Sequence, residues 1–221
     1  MWTSGRLAAV AAALFLTGAG VHAQELTRLY APKPPAGSAY VRVVDLTRSG
    51  ALIGFDAGSG VAAAPGDPAT IYRIVKGGAP LPLTLAGKPV KGTATPPADA
   101  FSTIVIGPDG AVLIADSTEG RNDLKAQLRF YNLVPGCAGA VAVADGPTVF
   151  DAVAPHETRQ RAINPIEATL VGRCGDARTG SLKLPPLKAG DHFSLFLLPG
   201  ADGAPVLAGQ RDETEPYRGP N

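Results

Sequence analysis

The chain has 221 residues, a formal net charge of +1 and 45% hydrophobic residues, as expected for a globular protein. Its charges form no basic or acidic block, which argues against nucleic-acid binding and gives no electrostatic field to steer a polyanion. The 27 glycines and 21 prolines leave helices little room to propagate, so we expect β-structure.

The first 23 residues predict a cleaved secretion signal. Arg6 supplies a positive end, Leu7–Leu16 is an unbroken apolar run, and Val21-His22-Ala23 offers a small-x-small cleavage pattern. The apolar run is shorter than the roughly 20 residues that span a bilayer, and a retained amphipathic anchor is the alternative. We therefore expect an exported, soluble protein.

Strands follow one another along the rest of the chain. Residues Tyr40–Leu46 alternate, with Val41 and Val43 on one face and Tyr40, Arg42 and Val44 on the other. Further strands are predicted at Ala51–Phe55, Thr70–Val75, Leu81–Leu85, Ser102–Ile106, Val112–Ile114, Ala138–Ala144, Glu167–Val171, Ser181–Leu184 and Phe193–Leu198. Short strands separated by Gly, Pro and Asp turns are typical of β-sandwiches.

The pattern occurs twice. Residues Ala39–Leu46 are echoed by Ala126–Leu133, and Phe101-Ser102 by Phe193-Ser194, so the offset grows from 87 (126 − 39) to 92 (193 − 101). In the second copy Leu128 and Phe130 take the inward places, while Gln127, Arg129 and Tyr131 point outward. The fold class predicted is all-β, with two tandem small β-sandwich domains from an internal duplication after the cleaved signal peptide.

Domain boundaries follow from the repeat and from composition. We place the signal peptide at 1–23, the N-terminal β-sandwich domain at 24–117 and the C-terminal one at 125–209. A polar, glycine-containing linker at 118–124 separates them. Residues 210–221 have almost no apolar content and are predicted to be a flexible tail.

Two cysteines, Cys137 and Cys174, predict a disulfide, because an even count in an exported protein favours pairing. Closing this loop would stabilise the fold by roughly 4 kcal/mol on the chain-entropy model. Metal binding is the rival interpretation, but two cysteines without a nearby pair of histidines make a poor zinc site.

The sequence carries no recognisable catalytic motif. Acyl transfer needs a nucleophile, a base and an oxyanion site, and beyond the signal the chain offers only His156 and His192 as histidine bases. His156 lies in a charged loop, and Asp191 is poorly placed to orient His192 because adjacent strand residues face opposite ways. We therefore predict no catalytic, cofactor-binding or metal-binding residues. A binding protein is favoured over an enzyme.

Two features could contact a partner or a glycan. Tyr40 with Arg42 and Arg129 with Tyr131 would each form a strip on the outward sheet face, where arginine can meet a carboxylate, although an ordinary solvated face is the alternative. The proline-rich arm 30–35, with Tyr30 and Lys33, is preset for docking, or it packs across the edge of its own domain.

Two blocks of sequence together resemble a known family. Residues Leu29–Leu46 (LYAPKPPAGSAYVRVVDL) and Ile163–Leu170 (INPIEATL) are similar to the start of the mature chain and to an INP segment of the AlgF family. That family comprises periplasmic proteins of bacterial alginate O-acetylation. The family strand ends in Asn where this chain has Asp45, and residues 56–97 are richer in Ala, Gly and Pro.

The resemblance implies a periplasmic accessory or adaptor protein for O-acetylation of a secreted exopolysaccharide. It implies partners among periplasmic acetyltransferases and a membrane acyl-donor transporter. No cofactor is predicted, because the sequence has no glycine-rich phosphate loop of the P-loop or dinucleotide pattern. Alginate is the favoured polymer, with acetylated cellulose as the alternative. Two other functions stay open: an acetyltransferase or esterase subunit acting on the polymer, and a carbohydrate-binding module for the nascent chain.

Overall fold

The computed structural model describes residues 33–55 and 60–219, so the predicted signal peptide and Tyr30 lie outside the described residues. Over these ranges the protein is all-β, as predicted, and no helix is long and apolar enough to cross a membrane. The strands are β1 (Ser38–Asp45), β2 (Ile53–Phe55), β3 (Arg73–Lys76), β4 (Leu83–Leu85), β5 (Lys88–Pro89), β6 (Phe101–Gly107), β7 (Gly110–Asp116), β8 (Ala126–Asn132), β9 (Gly139–Val143), β10 (Thr148–Val153), β11 (Glu157–Ile163), β12 (Thr169–Cys174), β13 (Ala177–Lys183), β14 (His192–Pro199) and β15 (Pro205–Arg211).

The strands form four sheets, two in each half of the chain. In the first half, inner sheet 1 has the order β3-β1-β6-β7 and outer sheet 1 has the order β2-β4-β5. In the second half, inner sheet 2 has the order β11-β8-β14-β15 and outer sheet 2 has the order β10-β9-β12-β13. Each half is therefore a sandwich of one inner and one outer sheet.

Three apolar clusters fill the spaces between these sheets. The first packs Val41 and Ile104 of inner sheet 1 against Phe55 of outer sheet 1. The second packs inner sheet 2 against outer sheet 2 in the same way. The third lies between the two inner sheets and includes residues of both halves, namely Val44, Ala69, Val105, Ile114, Tyr131, Leu133 and Phe196. The order of layers is thus outer, inner, inner, outer.

The two inner sheets share one arrangement. In each, the first strand of the half runs parallel to a strand about sixty residues later, β1 beside β6 and β8 beside β14, with antiparallel strands on both flanks. The repeat in the sequence predicts this likeness between the halves. Inward positions also agree, because Val41 and Leu128 both enter the core of their own half.

Both faces of the central strands are covered. All seven residues of β8 are buried, including Gln127 and Arg129, and β1 is buried at six of its eight positions. A strand with one solvated face would show alternating exposure. The polar residues of β1 and β8 therefore lie at the interface between the inner sheets.

Residues Pro34–Glu215 form one compact unit. The segment 118–124, predicted as an interdomain linker, lies in the connection between β7 and β8, and it carries no strand. Main-chain carbonyls at Ser117 and Glu119 accept hydrogen bonds from Arg129 and Gln160, so this connection is anchored to inner sheet 2. The boundary between two domains stays a prediction.

The predicted flexible tail is wrong for residues 210–215. Gln210 and Arg211 belong to β15, and the next residues reach the first half, where the Tyr72 N–H donates to the Glu213 carbonyl and the Glu215 N–H donates to the Tyr72 carbonyl. Glu215 also pairs with Arg73 at 2.7 Å. Low apolar content did not leave this segment loose, because its backbone and carboxylates satisfy groups on the edge of inner sheet 1.

The predicted disulfide between Cys137 and Cys174 is confirmed, with the two Cα atoms 5.6 Å apart. It ties the loop after β8 to the end of β12. Beside it, a Cβ atom on Gly139 would lie 2.7 Å from the Cγ of Asn132, so only glycine fits this close approach.

We expect the double variant Cys137→Ser/Cys174→Ser to lose about 4 kcal/mol of unfolding free energy, because the 37-residue separation leaves a long loop unconstrained in the unfolded chain. Urea unfolding of both proteins, with and without reductant, measures the difference. Reductant should lower the stability of the parent to that of the variant and leave the variant unchanged. Equal stability of the two oxidised proteins would contradict a stabilising role for the bridge.

Candidate functional site at the seam between the inner sheets

Arg42 lies at the centre of the seam between the two inner sheets. It occupies the middle of β1, on the face turned away from the core of its own half, and its side chain has no solvent exposure. Its guanidinium carbon lies 4.6 Å from the ring centre of Tyr72, 5.1 Å from that of Tyr131 and 5.0 Å from that of Phe196. Aromatic rings of both halves thus surround the cation and favour it.

Polar side chains from both halves satisfy the guanidinium. Its Nε donates to Thr103 at 2.9 Å, and its Nη1 donates to Asp212 at 2.7 Å. Its Nη2 donates to the Tyr131 hydroxyl at 2.7 Å and to the Ser194 hydroxyl at 2.8 Å. One cation therefore binds to β6 in the first half, to β8 and β14 in the second, and to the segment after β15.

A second carboxylate completes the network. Asp116, at the end of β7, accepts hydrogen bonds from the hydroxyls of Tyr72 at 2.8 Å, Thr103 at 2.8 Å and Tyr131 at 2.5 Å. Arg129 of β8 extends the network, with its Nη1 4.0 Å from Asp212. Two arginines and two aspartates thus lie together, with Asp212 only partly buried, so their formal charges cancel.

The pKa values at the seam follow from burial and from this charge balance. Burial lowers the pKa of Arg42, but neighbours led by Tyr131, Tyr72 and Asp212 outweigh it and hold that pKa well above its ordinary value. Burial raises the pKa of Tyr131 to about 12, with the charge of Arg42 opposing the shift. Burial also raises the pKa of Tyr72. At neutral pH the arginine is charged and both phenols are protonated.

The predicted exposed strips of tyrosine and arginine are wrong. Arg42 and Tyr131 are fully buried and Arg129 is 6% exposed, while Tyr40 is half-buried with its ring stacked on Phe101. The outward face of each predicted sandwich is covered by the other half. In the folded chain Arg42 and Tyr131 therefore contact the opposite half instead of a partner or a glycan.

A cleft opens where the seam reaches the surface, with a volume of about 300 Å³. Its walls come from Tyr72 and the start of β6 in the first half, and from the starts of β8 and β14, the connection before β8, β11 and the end of β15 with the segment after it. Residues lining it include Tyr72, Phe101, Glu119, Arg121, Gln127, Arg129, Gln160, Asp191, His192, Arg211, Asp212 and Glu213. A small concave pocket with several polar groups is the usual form of a binding site.

His192 lies in this cleft, half-buried, and burial lowers the pKa of its imidazole. Parallel pairing places it beside Gln127 on β8. Asp191, its neighbour in sequence, pairs with Arg211 at 2.5 Å, and this hydrogen bond lowers the pKa of Asp191. Asp191 is therefore committed to Arg211, consistent with the expectation that it does not orient His192.

The remaining sequence candidates lie elsewhere. His156 is exposed in the turn before β11, with a φ of 60°, and Lys33 is exposed. Within residues 33–55 and 60–219, no cluster of three His, Cys, Asp or Glu side chains could hold a metal ion.

The sequence analysis did not identify Asp116, Asp212 and Gln127 as residues of the seam or the cleft. Gln127 could have been indicated by the alternation along β8, which puts it on the same strand face as Arg129. The sequence holds no such signal for Asp116 and Asp212.

We expect Arg42→Met to lower the unfolding free energy by about 3–5 kcal/mol, because it removes the cation that pairs with Asp212 and leaves the acceptors of the buried network without their donor. Urea unfolding measures the change. Arg178→Met, a matched change at an exposed arginine of β13, should stay within about 0.5 kcal/mol of the parent. Similar small effects in both variants would show that the network does not hold the halves together.

We also expect stability to fall at high pH through Tyr131. A phenol whose pKa is raised on folding contributes stability that is fully present below the unfolded pKa of about 10 and is lost as pH rises through the folded pKa. With a folded pKa of about 12, the loss amounts to about 2–3 kcal/mol between those two values. Urea unfolding across this range should show a shallower decline in Tyr131→Phe, and an equal decline would contradict the assignment.

Comparison with known proteins places the chain in a family. A family model described as "Alginate O-acetyl transferase AlgF" matches residues 11–193. The alginate biosynthesis protein AlgF of Pseudomonas putida is 28% identical over 199 residues, covering 85% of this chain and 86% of that protein. The protein of the same name from Pseudomonas aeruginosa is 29% identical over 181 residues, covering 80% and 81%.

Among solved structures, the C-terminal domain of AlgF from P. aeruginosa is 28% identical, with a TM-score of 0.35. The match covers 40% of this chain and 98% of that domain. Since the family model spans most of the sequence, and both relatives match over most of their own length, the chain belongs to the AlgF family.

Proposed function

We propose that this chain is a non-catalytic adaptor of the machinery that O-acetylates alginate outside the cytoplasm. In this role it holds periplasmic acetyltransferases and a membrane acyl-donor transporter in a geometry suited to acetyl hand-off. The proposal has three parts, which are the polymer, the adaptor role and the compartment, and each has its own support.

Support for the polymer comes from the relatives. The P. putida and P. aeruginosa proteins are both named for alginate biosynthesis, and the family description names alginate O-acetyl transfer. Each relative aligns with the chain over at least four-fifths of its length. Alginate is therefore preferred to acetylated cellulose as the polymer.

The observation that carries the adaptor role is the buried Arg42 network. It joins β1 and β6 of the first half to β8, β14 and the segment after β15 in the second. A scaffold that presents two surfaces at a set distance needs its parts to be coupled in this way, because a loose link would lower the effective concentration of one partner near the other.

The hydrogen bonds that the seam hydroxyls already make also favour a binding role over catalysis. Ser194, the hydroxyl two residues from His192, donates to Asp212 at 2.6 Å and accepts from Arg42, so it is held in the network. A serine activated for acyl transfer instead donates to a histidine. Thr103 is likewise held, by Arg42 and by Asp116.

The disulfide supports the compartment. Bridges such as Cys137–Cys174 form and persist in oxidising environments, including the bacterial periplasm, and are rare in the cytosol. An exported location also agrees with the signal segment predicted from the first 23 residues.

We expect a strain with His156→Ala and His192→Ala together to secrete polymer of normal acetyl content, because acetyl transfer does not pass through these imidazoles. NMR of the secreted polymer measures acetyl content, and a strain lacking the whole chain gives the reference. Acetyl content at the reference level, with the variant folded, abundant and still bound to the periplasmic acetyltransferase, would overturn the adaptor role. So would acetyl transfer from a donor to polymer by the purified chain alone.

A further inference from the structure

The cleft at the seam holds polar groups that the fold leaves without partners. Gln127 is 7% exposed and lines the cleft, yet its side-chain amide makes no hydrogen bond within the described residues. The imidazole of His192 makes none there either. Both polar atoms of the Gln127 amide reach the solvent of the cleft, so a ligand there can bind to them.

Strand pairing places these groups side by side. In the parallel ladder of β8 and β14, Gln127 is the partner of His192 and Arg129 is the partner of Ser194. Gln127 and Arg129 lie two residues apart on one face, about 7 Å along the strand. The amide, the imidazole and the guanidinium therefore face the cleft together.

Open donors and acceptors lie next to one another in this group. Arg129 uses its Nη2 on the Ser117 carbonyl at 2.5 Å and on Gln160 at 3.2 Å, while its Nη1 is 4.0 Å from the Oδ2 of Asp212, beyond hydrogen-bond distance. Gln127 adds two N–H donors and a carbonyl acceptor. A ligand that offers both an N–H and a C=O on one side, as a residue of an extended peptide does, matches this set.

Charge at the cleft favours a basic ligand. Arg211 is paired with Asp191, Arg121 with Asp123, and Arg129 faces Asp212. Glu119 and Glu213 also line the cleft, and neither makes a salt bridge among residues 33–55 and 60–219. These two carboxylates attract lysine or arginine and repel a polyuronate, which carries a carboxylate on each sugar.

The aromatic residues of the cleft do not favour a sugar. Phe101 stacks on Tyr40 with ring centres 4.5 Å apart, and Tyr72 meets Phe101 edge-on at 5.1 Å. One face of the Tyr72 ring is covered by Arg42. Rings that already have such neighbours offer little face for a pyranose to stack on.

We propose that the cleft binds the main chain of an extended, basic segment of a partner protein. Gln127 pairs with the N–H and C=O of one residue, which point the same way in an extended chain, Arg129 donates to a further carbonyl, and Glu119 and Glu213 bind basic side chains on either side. The proposal rests on the adaptor function, for which it supplies one docking point. A cavity of about 300 Å³ suits one or two residues of such a segment.

NMR titration of the disulfide-bonded chain tests the site with defined probes. The first probe is the blocked tripeptide N-acetyl-lysyl-alanyl-lysine methylamide, and the second is its glutamyl-alanyl-glutamate counterpart, which has the same amides and the opposite charge. The third is a mannuronate trisaccharide. We expect saturable shifts of the Gln127 side-chain amide and the His192 ring with the lysine peptide, and binding at least tenfold weaker with the other two.

Three results would overturn the proposal. Absence of saturable shifts with the lysine peptide would remove the peptide site. Equal or tighter binding of the glutamate peptide would contradict the role of Glu119 and Glu213. Equal or tighter binding of the trisaccharide would make the cleft a site for the polymer instead of a protein.

The variant Gln127→Leu separates binding from folding. It keeps the approximate volume of the side chain and breaks no hydrogen bond within the described residues, so we expect Tm to stay within about 2 °C of the parent. The same variant should weaken the lysine peptide at least tenfold, followed on the His192 ring. Thr148→Leu, an exposed change on β10, should leave the affinity unchanged, and unchanged affinity in Gln127→Leu would overturn the role of the amide.

Failure of this site and failure of the adaptor function give different results. Purified periplasmic acetyltransferase that binds the parent and Gln127→Leu equally would keep the adaptor and reject the cleft as its docking point. Acetyltransferase that binds neither protein, with the lysine peptide still bound in the cleft, would keep the site and reject the adaptor.

Discussion

The fold depends on a buried cation. Arg42 is held by four side chains that are distant in sequence, Thr103, Tyr131, Ser194 and Asp212, and removal of any of them would leave a donor without a partner in a dry interface. The two inner sheets can therefore meet in only one relative position, because a shift along the seam would break several of these bonds together. An apolar seam of the same area would tolerate sliding, whereas a charge-assisted network gives one register at the expense of desolvating the charges.

This constraint explains why residues after β15 are ordered. Asp212 is the carboxylate nearest to Arg42, and it belongs to a stretch that composition marks as loose. Once Asp212 is fixed beside Arg42, the following residues lie along the edge of inner sheet 1, where their backbone bonds to Tyr72. Without this segment, Arg42 would face the neighbouring Asp116 alone, and the backbone of Tyr72 would lose two hydrogen bonds. The ion pair between Arg42 and Asp212 thus orders the segment after β15, which has too few apolar residues to be held by hydrophobic packing.

Much of the fold could be predicted from the sequence, because alternation reports which side chains share a face. The inward places of Val41, Val43, Leu128 and Phe130 are correct, and so are most strands and the disulfide. The alternation of polar and apolar residues does not show what covers the polar face of a strand. The pattern around Arg42 is the same whether water or another sheet lies above it. The edge strand β11, with the sequence ETRQRAI, is predicted as a charged loop for a different reason, since its alternate charged residues face solvent. The site was harder to find, since Gln127 and Asp212 meet only through tertiary structure.

The likeness of the halves accounts for the cleft itself. In the first half, β1 and β6 pair Tyr40 with Phe101, and in the second, β8 and β14 pair Gln127 with His192. In the structure, the counterpart of Phe101 is therefore His192, whereas the sequence repeat aligned Phe101 with Phe193. This shift of one residue matters because it exchanges the two faces of a strand. Two stacked aromatic rings fill this position in the first half. An amide and an imidazole stand there in the second half, and they are smaller and polar. The cleft lies at this position, with hydrogen-bonding groups in its wall, so the departure of the second half from the first gives the cleft its polar lining.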